Sequence, residues 1–229
     1  MRIGEVEIRP VLEIERLVLP PQMFISDFTP ADAAPHGWLA PQFYNAETHQ
    51  CHLSQHAWLI EAQGKRILVD PCVGHERQRN IPFYDMLDSP FLDNLRALGA
   101  EPESIDYVFC THLHLDHCGW NTRLVDGCWV PTFPNARYVF SRAEEDYWRR
   151  DADGSAPVGS DFNDRVYNEC VRPVIEAGLA TLAEPGGRIG DCIVLIDAGG
   201  HTVGHLAGVL ESAGEGAVLA GDAIHHPIQ

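Results

Sequence analysis

Residues 111–120 read THLHLDHCGW, which gathers His112, His114, Asp116 and His117 within six residues. On the extended end of a strand, residues two apart face the same way, so His112 and His114 can hold one ion together. Asp116 and His117 follow where the chain must turn, and can aim at a second position nearby. Neutral imidazole with carboxylate is the ligand set of zinc or a comparable divalent ion such as manganese, iron or cobalt. Burying such a cluster without metal would leave several polar groups to satisfy. A lone histidine is different, and His52 and His56 are expected to be hydrogen-bonded structural residues. Gly119 would let the backbone pass tightly beneath the site. Cys118 adjoins the cluster, where the ordinary expectation for a free cysteine is a buried, reduced thiol.

Two later segments offer partners. AGGHTVGH, 198–205, follows an apolar run, and a loop after a strand presents side chains from a rigid base. His201 is the candidate ligand there, and His205 is expected to support the loop or cap the next element. In AVLAGDAIHHP, Asp222 ends another apolar run. Alone it would be an ordinary turn residue; beside the other clusters it is expected to be a carboxylate bridging two metals.

The elements that must carry these residues are legible in outline. Residues 53–70 form two apolar strands around a turn at Gln63-Gly64, a hairpin pattern. Residues 88–99 place Phe91, Leu92, Leu95 and Leu98 at helical spacing, with Asp88 or Ser89 to cap the start and Gly99 the end. Strands are predicted at 104–110, 136–141, 192–200, 206–212 and 217–222. A helix opens at Ser141, and 161–182 reads as mostly helical with an interruption at Pro173. Phe24, Phe28, Trp38, Phe43 and Tyr44 either line a pocket or belong to the core. Strands at both ends with helices between suit an α/β sandwich rather than an alternating parallel fold.

Composition narrows the function. Sixteen Lys and Arg against thirty-three Asp and Glu give a net charge of −17, a poor starting point for a nucleic-acid partner. No run is long and apolar enough for a membrane span. MRIGEVEIRPVLEIERLVLP carries scattered charges and does not read as a secretory signal, and the seven cysteines are an odd number without close pairing. A cytoplasmic protein with a small-molecule substrate is expected.

HLHLDH at 112–117, GHTVGH at 200–205 and GD at 221–222 resemble, in order and spacing, the metallo-β-lactamase superfamily of hydrolases. LVDPCVG, DSPFLDNLRALG, SIDYVFCTHLHLDHCGWNT and GDAIHHPIQ resemble its branch of methyl-parathion-hydrolase-like and lactonase-like enzymes. The resemblance implies an αββα sandwich of two mixed sheets flanked by helices, one domain over 1–229. It implies two divalent ions, zinc foremost: His112, His114 and His201 on the first, Asp116 and His117 on the second, Asp222 bridging both. A hydroxide between the ions would attack an ester-like bond in a lactone, carboxylic ester or phosphotriester. His225 stands where lactonase relatives often place a tyrosine, and could meet the substrate oxyanion or protonate a leaving group.

The family normally supplies one further histidine, some tens of residues after the bridging aspartate, and a closing strand and helix. Seven residues follow Asp222, so the expectation is a chain that stops short of them. His226 is a poor substitute because adjacent residues on an extended segment diverge, and an uncovered sheet edge would invite a homodimer. The alternatives are a glyoxalase-type thioesterase, whose motifs look much the same, and a non-catalytic metal-binding protein with an incomplete second site.

Overall fold

The computed structural model describes residues 1–154, 163 and 165–229. Its first sheet runs β1 (Arg2–Ile3), β2 (Val6–Leu19), β4 (Gln50–Ala62), β5 (Lys65–Val69), β6 (Tyr107–Phe109), β9 (Arg137–Ser141) and β10 (Ala180–Ala183), with β3 (Tyr44–Asn45) also on β4. β7 (Thr122–Val125) and β8 (Cys128–Pro131) form a separate hairpin. The second sheet runs β11 (Arg188–Ile189), β12 (Ile193–Asp197), β13 (Leu206–Ser212) and β14 (Glu215–Leu219). β5, β6, β9 and β10 are mutually parallel; the second sheet is antiparallel.

Side-chain alternation makes the first sheet two-sided. Ile60, Ile67, Val69, Phe109 and Val139 face Ile193, Leu195, Leu206, Leu210 and Leu219 of the second sheet in one buried cluster. Their neighbours Leu59, Leu68, Val108, Tyr138 and Phe140 point the other way, into a larger core shared with helices. After the single turn α1 (Pro30–Ala33), these are α2 (Phe91–Ala97), α3 (Arg142–Ala152) and α4 (Arg172–Glu176). Phe91 and Leu95 from α2, Trp148 from α3 and Val174 from α4 enter that core. On the far face of the second sheet Ile196 and Val218 are exposed. Among the described residues no helix is long and apolar enough to cross a membrane.

The predicted hairpin closes at Gln63 and Gly64, both at positive φ (52° and 73°), as a two-residue turn matched to strand twist requires. The 161–182 prediction needs correction where it is described; residues 161, 162 and 164 lie outside the described part. A π-helical turn spans Tyr167–Val171, then α4 carries Pro173 in its first turn, where its missing N–H costs nothing. Residues 180–182, expected to be helical, instead lie in a strand that pairs with β9. Backbone pairing with a parallel neighbour along the sheet edge outweighs the weak helical preference of so short a segment.

Candidate metal centre

The site lies where strands of both sheets end. β5 and β6 run parallel in register, Val69 beside Phe109, so Asp70 and Thr111 leave the sheet side by side. Asp70 accepts hydrogen bonds from the Thr111 N–H (2.7 Å) and hydroxyl (2.9 Å). The Leu206 N–H donates to the Thr111 carbonyl (2.9 Å), tying the start of β13 to the same point. His112–His117 follow β6, His201 lies between β12 and β13, and Asp222 follows β14. Gly221 permits the last approach: it sits at φ +51°, and a Cβ there would fall 2.5 Å from His205 Nε2. At Gly119 a Cβ would lie 1.8 Å from the Val73 carbonyl oxygen, the tight passage expected beneath the cluster.

Asp222 stands among four imidazoles. Its Oδ1 is 3.1 Å from His117 Nε2; its Oδ2 is 3.3 Å from His201 Nε2, 3.2 Å from His225 Nε2 and 3.9 Å from His112 Nε2. His114 Nδ1 and His201 Nε2 are 3.0 Å apart. Three sets of donor atoms fall within 4.8 Å of one another: His112, His114 and His201; His112, His117 and Asp222; His201, Asp222 and His225. Asp116 is joined to them more loosely, with Oδ2 3.8 Å from His117 Nε2.

The donor set fits metal. His112 is fully buried with Nδ1 3.1 Å from the Thr111 hydroxyl, yet Nε2 faces the cluster without a hydrogen bond. An orphaned nitrogen there is costly unless an ion takes it. Burial depresses the pKa of His112 and His201 and takes His114 down to about 3, so these rings are neutral, as ligands must be. His117 behaves oppositely: burial would lower its pKa, but Asp222, Asp116 and Asp70 together hold it well above the ordinary value. Asp222 is held far below the usual carboxylate range by the His117 charge and hydrogen bonds from His117 and His225, against the effect of burial.

The neighbouring expectations sort cleanly. His205 is buried and accepts the Asp222 N–H at Nε2 (3.1 Å), supporting that residue. His226 turns away: Nε2 meets the Phe43 carbonyl (2.9 Å) and Nδ1 accepts from the Ile228 N–H (3.2 Å). Cys118 is a buried thiol donating to the His114 carbonyl (3.2 Å) and belongs to none of the three donor sets. His52 and His56 are hydrogen-bonded to Arg16 and Ser54 respectively. Phe24 lines the cavity over the site, Phe28 and Tyr44 are buried core, and Trp38 is exposed.

This cavity, about 710 Å³, opens over Asp116, His117, His201 and Asp222. Leu17, Leu19, Met23, Leu53, Ile81 and Phe83 make an apolar wall, and neither lysine nor arginine lines it among the described residues.

The family profile described as the metallo-beta-lactamase superfamily matches residues 52–229. The chain belongs to that superfamily. Over 60 residues it is 40% identical to the N-acyl homoserine lactonase AttM of Rhizobium johnstonii, covering 26% of this chain and 19% of that protein. A lactonase of the same description from a Bacillus species is 27% identical over 130 residues, 55% of this chain and 40% of the other. Among solved structures, AidC, described as a dizinc quorum-quenching lactonase, superposes with a TM-score of 0.64 at 21% identity. The hydrolase AbOPH superposes with a TM-score of 0.70 at 24% identity. In both cases the match covers 95% of this chain and 71% of the other.

Several residues that organise this superfamily member's site escaped the sequence reading. Asp70 places a carboxylate oxygen 3.2 Å from His117 Nδ1, on the side of the ring away from Asp222. Its signal was present: ILVD ends an apolar strand on an aspartate, as AVLAGD does. Glu144 is buried at the start of α3 and accepts from the N–H groups of Leu113 (3.1 Å) and Gly204 (2.8 Å) and from Trp148 Nε1 (2.9 Å). It thereby joins the two ligand-bearing loops. Glu13 on β2 accepts from Val73, Gly74, Ser89 and Trp120 beneath the site. Nothing in local sequence marks either glutamate, because their partners lie dozens of residues away.

Proposed function

We propose that this chain is a dinuclear metal-dependent hydrolase that opens lactones bearing an apolar substituent. The observation that carries this reading is Asp222, whose two oxygens face different ligand groups: Oδ1 toward His117, Oδ2 toward His112 and His201. His112, His114 and His201 would hold one ion, Asp116 and His117 the other, with Asp222 shared. Two such ions would supply a water-derived nucleophile at neutral pH and Lewis acidity toward the carbonyl oxygen. Zinc suits the imidazole-rich set, and AidC is described as dizinc.

The chain's own groups do the rest. The apolar wall takes the substituent and excludes water from the ester, while the absence of lysine and arginine from the described lining favours an uncharged substrate. His225 lines the cavity beside Asp222 and in this reading would donate to the oxyanion or to the leaving alkoxide. Lactone chemistry is chosen over other esters because the relatives above are described as N-acyl homoserine lactonases. Seven free thiols, six of them buried, support a reducing cytoplasmic setting.

The test is metal content by elemental analysis, with hydrolysis of short-chain and long-chain N-acyl homoserine lactones. We expect close to two zinc ions per chain, with kcat/KM rising with acyl length. Chelation should abolish turnover, and zinc restore it. A protein that turns over these lactones equally well after exhaustive chelation would overturn the proposal.

A further inference from the structure

Asp116 is the least constrained of the proposed ligands, since within the cluster only His117 lies near its carboxylate. Two residues outside the metal motifs compensate. Gln55 donates from Nε2 to the Asp116 carbonyl (2.8 Å). That bond fixes the amide, so Gln55 Oε1 is presented to the Tyr84 hydroxyl at 2.9 Å. The same hydroxyl is 3.4 Å from Asp116 Oδ2. One phenolic proton thus bridges an amide oxygen and a metal-facing carboxylate, and Asp116 is gripped at its backbone and its side chain.

Both grips are built in. Gln55 lies opposite Ile14 where the β2–β4 register slips on either side, an irregularity of the kind that re-aims a side chain beside a site. Tyr84 is 6% exposed, on a loop anchored by the Met86 N–H to the Arg77 carbonyl (2.8 Å). Arg77 in turn donates to the Gly119 carbonyl (2.6 Å), just past the metal motif. A tyrosine wanted only as apolar wall would not need its hydroxyl against a carboxylate.

We infer that Tyr84 and Gln55 are positioning residues for the second metal position, holding the Asp116 carboxylate so that this position retains its ion. The inference rests on the dinuclear reading above. Partners that orient a metal ligand commonly contribute a factor of about 10–100 in metal affinity. Because Asp116 is assigned to the second position and not to the first, Tyr84 should matter there and not at the first.

The experiment is a stepwise zinc titration of metal-stripped wild type, Tyr84→Phe and Gln55→Leu against a chromophoric chelator, alongside lactone kinetics. Tyr84→Phe keeps the ring and removes only the oxygen. We expect its second-ion Kd to weaken about tenfold or more while the first-ion Kd stays unchanged. The unchanged first Kd also reports an intact fold. kcat should fall at limiting zinc and recover in excess zinc, with KM little altered, and Gln55→Leu should behave alike. Two ions bound by both variants with wild-type affinities would overturn the inference and leave the dinuclear reading standing. A raised KM with normal zinc binding would reduce Tyr84 to cavity wall. A wild type that binds one ion only would overturn both.

Discussion

His112 and His114 leave the end of β6 with neutral rings, because burial disfavours their charged forms. His117, three residues on from His114, meets Asp222, Asp116 and Asp70, which raise its pKa well above the ordinary value against the effect of burial. One short motif would therefore offer a metal two rings that displace no proton and one that must first give a proton up. Ligation requires the neutral ring, so proton release on zinc addition should be concentrated in the second equivalent. A titration of metal-stripped protein in weak buffer at pH 7, with a pH indicator, reads this directly. The sign is set by His117: its folded pKa is raised, so below that value metal competes with a bound proton, and second-ion affinity climbs as pH rises toward it. Equal release in both equivalents, or release mainly in the first, would show that His117 is not the proton-bearing ligand.

The ligands come from loops that have no contact in sequence, and their relative position depends on groups that join elements. Glu144 at the head of α3 is the clearest, since one carboxylate serves Leu113, Gly204 and Trp148. Glu144→Gln preserves shape but turns an amide NH₂ toward one or more N–H donors, stranding buried polar groups. The cost is about 1–3 kcal/mol, which for a domain of this size lowers Tm by roughly 5 °C. Differential scanning fluorimetry of metal-stripped protein checks it, because bound metal would mask the loss. An unchanged Tm would mean that the loops are held by other contacts.

Across the molecule, cysteine access and cysteine ionisation are set by different forces. Of seven free cysteines only Cys128, at the start of β8, is exposed. Cys170 is fully buried, yet Cys118 and the guanidinium groups of Arg77 and Arg79 bring its thiol below the ordinary value against the effect of burial. If access governs, an aromatic disulfide reagent at pH 7 should modify about one thiol quickly, and Cys128→Ser should abolish that phase. The remaining six should react only on unfolding. Rapid loss of a second thiol in Cys128→Ser would indicate that the core around Cys170 opens readily.

Alternation and residue chemistry made much legible: the 53–70 hairpin, the strands that lead into the cluster, and the gathering of His112, His114, His117, His201 and Asp222 in one place. These signals are local, set by period-two burial and by the density of imidazole and carboxylate. The strand at 180–183 was not legible, because its pairing with β9 depends on a parallel neighbour some forty residues earlier. A bridging place for Asp222 was expected from its company, but which imidazoles face each of its oxygens depends on where two sheets end in space. Glu144, Gln55 and Tyr84 joined the site only through folding. A buried carboxylate, amide or phenol takes its role from the partners that tertiary structure brings within hydrogen-bonding distance, and those partners are not its neighbours in the chain.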